Sequence, residues 1–143
     1  MFKFNKIILT LIFVFLHLTI PLKVEFNKSI NTIKKEINRG DIKTALKLLG
    51  EIKITNDNER ERVDLLFGDI YLKINKPQKA IEFYESAFMT SNDDVESLSE
   101  LGLAEAYLRK GNLKESIRHA KRSLEINSDR SRGKIVLAIG LTK

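Results

Sequence analysis

The chain changes rhythm at Lys23. Upstream, from Ile7 to Ile20, fourteen residues run without leaving a polar face. Downstream, apolar positions recur every three or four residues, the spacing of helices buried on one side. The most informative stretch reads Phe67-Gly68-Asp69-Ile70-Tyr71 and, past a break at Asn75-Lys76-Pro77, Ala80-Ile81-Glu82-Phe83-Tyr84-Glu85-Ser86-Ala87. Small residues (Gly68, Ala80, Ala87) stand at helical spacing from the large rings of Phe67, Tyr71 and Tyr84. A small residue on a helix face lets a second helix come close, and nearby rings fill the flanking volume. Two helices packed as a hairpin are predicted.

Aligning the chain on itself repeats that hairpin. A unit starting at Glu61 is followed by one at Ser97 and preceded by one at Phe26, offsets of 36 and 35 residues. The units are 26–59, which is degenerate, then 61–94 and 97–130, with a last helix at 131–143. One column of the alignment reads Gly40, Asn75, Gly111, the residues that best tolerate a positive φ where a helix ends and the chain turns back. The next reads Asp41, Lys76, Asn112. Two of those are good N-caps, and Asn112 with Glu115 makes a capping-box pattern. Pro77 falls in a first turn, where its missing N–H costs nothing.

This arrangement resembles a tetratricopeptide repeat, whose period is about 34 residues. The family pattern is a bulky residue, a small one and a tyrosine, then Ala, Phe or Tyr, and Ala on the second helix. Phe67, Gly68, Tyr71, Ala80, Tyr84 and Ala87 match it in the central unit, with Asp64 where the family has tryptophan or leucine. Leu103, Ala104, Tyr107, Ser116 and Ser123 match it in the next, with Ala120 replacing the aromatic. In the first unit Gly40, Ala45 and Leu49 fit, while Ile33 and Glu36 replace the small residue and the tyrosine. The resemblance implies an all-α fold, a right-handed α-solenoid of about three repeats plus a C-terminal capping helix. It also implies that protein partners bind a concave surface lined by the first helices.

Corresponding first-helix positions describe that surface. One column is Ile30, Leu65, Leu101, Ile135; another is Ile37, Leu72, Leu108, Thr142. Between them run Lys34, Asp69, Glu105, Ile139, and at one margin Asn38, Lys73, Arg109. The expected groove is an apolar double stripe with an acidic middle and a basic edge, suited to a peptide with apolar anchors and a basic residue. The lysine and asparagine clamp with which some family members hold a C-terminal carboxylate is absent from these columns. In the last helix, Leu137, Ala138 and Leu141 are expected to pack on Ile117 and Leu124. Ile135, Val136 and Ile139 are then left as an end interface for a second copy, a partner or a membrane.

The N-terminal run is read separately. Lys3 and Lys6 precede it and Pro21 follows; as a helix it would span about 21 Å, against roughly 30 Å of bilayer hydrocarbon. A basic start and a short apolar core describe a secretory signal. No small-x-small cleavage site follows, the first alanine being Ala45. Residues 1–22 are therefore expected to be a signal sequence or membrane anchor, with Pro21 ending the run. They would place a bacterial protein on the outer, periplasmic side of its membrane; a cytoplasmic location is the alternative.

Composition narrows the chemistry. There is no cysteine, so disulfides, thiolate metal sites and a cysteine nucleophile are excluded. The net charge of +6 is uneven: residues 57–108 carry five basic and twelve acidic side chains, residues 109–134 nine and three. Lys114, Arg118, Lys121 and Arg122 share one helix face. Without interleaved aromatics that face reads as solvated rather than as a nucleic-acid site. His119 stands alone on a second helix and is expected at the surface, and no metal motif, phosphate loop or Ser/His/Asp set can be assembled. No catalytic residue, metal or cofactor is assigned. The expected function is a non-catalytic scaffold or adaptor at the membrane, holding a peptide or helix in the groove. The alternatives are a structural subunit or homo-oligomer, and a soluble cytosolic regulator using the basic C-terminal third.

Overall fold

The computed structural model describes residues 6–88 and 92–142, with side chains from Lys23 onward. Among these residues the regular structure is helical: α1 (Lys6–Arg39), α2 (Ile42–Glu51), α3 (Asp57–Lys73), α4 (Pro77–Ser86), α5 (Asp93–Arg109), α6 (Leu113–Ile126) and α7 (Ser131–Thr142). α1 packs on α2, α3 on α4 and α5 on α6; α3 also touches α1 and α5, and α7 lies on α5 and α6. The fold is an all-α stack of helix pairs closed by a capping helix.

The turns within the pairs are three versions of one motif. Gly40, Asn75 and Gly111 take φ values of 82°, 56° and 78°. The residue after each donates its N–H five residues back: Asp41 to Glu36 at 3.0 Å, Lys76 to Tyr71 at 2.8 Å and Asn112 to Tyr107 at 3.0 Å. Left-handed backbone at one position thus satisfies the carbonyls that a helix end leaves open. Asp41 then accepts from the Thr44 N–H at 3.0 Å and Asn112 from that of Glu115 at 3.3 Å. Asn56 and Asn92 cap α3 and α5 in the same way.

Packing differs from pair to pair. In the middle, Tyr84 of α4 enters between α3 and α5. A Cβ on Gly68 or on Gly102 would lie 2.4 Å from its ring, so only glycine fits at either place. Asp64 replaces the family's large apolar residue with a hydrogen bond, accepting from Ser86 Oγ at 2.9 Å. In the first pair Ile33 and Leu49 occupy the positions of Gly68 and Tyr84, both buried in a core with Phe26, Ile30, Ile37, Val63, Leu66 and Ile70. In the third pair the same positions hold Ala104 and Ala120, and Ser116 donates to the Ala104 carbonyl at 2.9 Å.

Two expectations are overturned. Pro21 does not end the N-terminal element, since α1 continues through it for 34 residues. Nor is any helix among the described residues long and apolar enough to cross a membrane. The apolar run spans only about 21 Å, and α1 then carries Lys23, Lys28, Lys34 and Lys35 along the stretch that packs into the domain. The membrane as partner and the membrane-bound or extracytoplasmic bacterial location therefore lose their support. Residues 1–5 of the N-terminal segment lie outside the described residues.

Candidate functional site

The odd-numbered helices share one face, and a cavity of about 360 Å³ opens on it. Ile30, Lys34, Leu65, Asp69, Leu101 and Glu105 line it, all from the columns expected to form the groove. The other nine residues of those columns, Ile37, Leu72, Leu108, Lys73 and Arg109 among them, do not line it. Ile37 and Leu72 are buried in the first and second cores, and Leu108 is half-buried against the third. Lys73 and Arg109 lie exposed at the helix ends, where Arg109 donates to the Leu72 carbonyl.

Other side chains complete the cavity, notably Arg62, Leu98, Tyr84 and Arg132. Arg62 and Leu98 stand three residues before Leu65 and Leu101, hence on the same helix face; that spacing was the signal that could have found them. Arg62 donates to Asn27 Oδ1 at 2.7 Å, and its guanidinium sits 5.2 Å from the centre of the Phe26 ring. Tyr84 belongs to a second helix and reaches the cavity only because Gly68 and Gly102 leave room for its ring.

The acidic middle is engaged from within. The Tyr84 hydroxyl donates to Asp69 Oδ1 at 2.7 Å, and Arg132 donates to Glu105 Oε2 at 2.6 Å. Asp94, also in the lining, pairs with Arg130 at 2.5 Å. Burial pushes the Asp69 carboxyl above its ordinary value and Glu105 adds to this, while the Tyr84 bond, Arg132 and Lys34 oppose it. Burial, followed by the charge and hydrogen bond of Asp69, holds the Tyr84 phenol far above its usual value. The phenol therefore stays protonated and is the donor.

Elsewhere two expectations change, those for His119 and for α7. His119 is buried rather than at the surface: its ring stacks on Tyr107 with centroids 5.3 Å apart, and Nδ1 lies 2.6 Å from Glu100 Oε2. The basic face of α6 is partly neutralised, Arg118 by Glu115 at 2.7 Å and Arg122 by Glu96 at 3.1 Å. α7 is rotated from the expected facing. Gly133, Val136 and Gly140 point inward, and a Cβ on Gly140 would meet Ile117 at 2.8 Å. Val136, only 6% exposed, therefore leaves the proposed end interface. Ile135 (58%) and Ile139 (37%) stay at the surface, joined by Leu141, which was expected inside. Glycines bring α7 close to α6, so small residues rather than bulky ones mark its packed face.

Among the described residues no group of three or more His, Cys, Asp or Glu could hold a metal ion. A stack of helix pairs with a cavity on its first-helix face defines a helical-repeat architecture. The tetratricopeptide repeat family model matches residues 65–94 and 101–130, which indicates a tetratricopeptide-repeat domain over that part of the chain. No curated protein matches the chain.

Proposed function

We propose that this protein is a non-catalytic adaptor that holds a segment of a partner protein in the cavity on the face of α1, α3, α5 and α7. On this reading residues 26–59, 61–94 and 97–130 are the repeats and 131–143 the cap. The observation that carries it is the lining itself. Ile30, Leu65, Leu98 and Leu101 give apolar footing, while Lys34, Arg62, Asp69, Glu105 and Arg132 bring charge to the same walls. Apolar anchoring gives affinity and placed polar groups give orientation, the combination that peptide grooves use.

The test is peptide selection. Peptides selected on the natural protein should lose about tenfold or more in affinity for a Leu98→Gln variant, because its amide is desolvated against an apolar anchor. Circular dichroism must show that the variant keeps its fold. Selected peptides that bind both proteins equally would place the binding surface elsewhere.

A further inference from the structure

The partner's charge can be read from which charged groups of the cavity are already satisfied. The three acids of the lining each hold an internal donor: Asp69 the Tyr84 hydroxyl, Glu105 the Arg132 guanidinium, and Asp94 that of Arg130. Glu105 and Asp94 are thereby neutralised by guanidinium groups. Asp69, whose donor is neutral, has its ionised form opposed by burial and is faced by Arg132 and Lys34. The acids are thus poorly placed to select a basic ligand. The cations contributed by α1 and α3 stand otherwise. Lys23 and Lys34 are exposed, and neither forms an ion pair with a described residue. Lys34 acts on Asp69 only through space. Arg62 contacts an amide and an aromatic ring, both neutral, so its charge is uncompensated and further donors of its guanidinium remain to be used.

Position along the fold gives the same polarity. Lys23, Lys34 and Arg62 come from α1 and α3, while the apolar footing of Ile30 and Leu65 continues onto α5 with Leu98 and Leu101, where the cavity has no lysine or arginine. The groove has a cationic wall and an apolar floor. Resting on the reading that this cavity is the docking site, we propose that the partner segment is both acidic and apolar. Its carboxylates lie along the α1–α3 wall and its apolar side chains on α5. This is the opposite charge preference from the one the columns of Asp69 and Glu105 imply when read without their partners. A carboxylate placed on Arg62 makes a charge-assisted and geometrically specific contact, and Lys34 adds a mobile point charge beside it.

Fluorescence anisotropy with three labelled peptides tests this on the full chain. The peptides share one leucine spacing and carry glutamate, glutamine or lysine at the remaining positions. At low salt the glutamate peptide should bind about tenfold tighter than the glutamine peptide, with the lysine peptide weakest, and the advantage should shrink as salt screens it. Lys34→Glu with Arg62→Glu should reverse that order. Lys34→Glu alone, at an exposed position, should narrow it even if the double variant folds poorly. Equal binding of the glutamate and glutamine peptides, with both still sensitive to Leu98→Gln, overturns the charge assignment and leaves the groove standing. Preference for the lysine peptide overturns it in favour of Asp69 and Glu105. Insensitivity of all three to Leu98→Gln removes the groove reading itself. Equal competition by a single-stranded oligonucleotide would show that the cationic wall serves nucleic acid instead.

Discussion

The first helix pair and the central pair reach the same backbone unit with opposite distributions of volume. In α1 and α2 two medium residues meet, Ile33 and Leu49. In α3 and α4 a glycine faces a tyrosine whose ring also needs a second glycine, Gly102, on the next pair. The central arrangement ties three helices through one ring, and its hydroxyl adds a hydrogen bond to Asp69 at the cavity. The first arrangement is a simpler apolar contact without that reach. The central solution couples core packing to the lining of the candidate site through the Tyr84 ring and its hydroxyl. The third pair, with Ala104 and Ala120, fills its interior differently, flanking small residues with the Tyr107–His119 stack and the Glu100 carboxylate.

The largest test of this contrast is Tyr84→Ala. Removing the ring leaves an empty slot between two glycines and takes the donor from a buried carboxyl, and it should cost about 3–5 kcal/mol. Denaturant unfolding would measure it. A loss no greater than that of a surface change would mean that the ring is not the joint between the pairs.

Transplanting volumes sharpens the comparison. Gly68→Ile alone should destabilise by about 1–3 kcal/mol through overpacking against Tyr84. Combining it with Tyr84→Leu imports the residue types of the first pair. The double variant should then be more stable than the sum of the two single losses predicts, by about 0.5 kcal/mol or more. Strict additivity in a double-mutant cycle would show that the two positions are not packed on each other.

The smallest effect concerns pH. Burial raises the folded-state pKa of Asp69 above its ordinary value of 3.8. Between the unfolded and folded values the folded protein binds more protons than the unfolded chain, so this group's contribution to stability falls as pH rises through that window. Asp69→Asn keeps an acceptor for Tyr84 and removes the titration. The variant should show a shallower decline than the natural protein when unfolding midpoints are followed upward from about pH 3. Parallel curves would place Asp69 in a more solvated setting. No buried carboxyl occupies the corresponding place in the first pair, where Lys34 stands instead.

The amino-acid sequence by itself determined what depends on near neighbours. The left-handed turns at Gly40, Asn75 and Gly111, the caps at Asp41 and Asn112, and the helix content follow from residues within about one turn of each other, and the repeat offsets from the recurrence of these local patterns. Six lining residues were legible for a related reason: a helix face is set by spacing along one element. Tertiary structure alone decided the rest. Tyr84 enters the cavity because glycines 16 and 18 residues away in either direction make room for it. Asp69 and Glu105 are spoken for by Tyr84 and Arg132, partners 15 and 27 residues distant. His119 is buried because Glu100 and Tyr107 on the preceding helix receive it. α7 turns its glycines inward, where Gly140 lies so close to Ile117 that a Cβ would meet it at 2.8 Å. Periodicity tells which face of a helix is apolar, but not which groups across a packed interface satisfy one another. That pairing decides which charges remain for a partner.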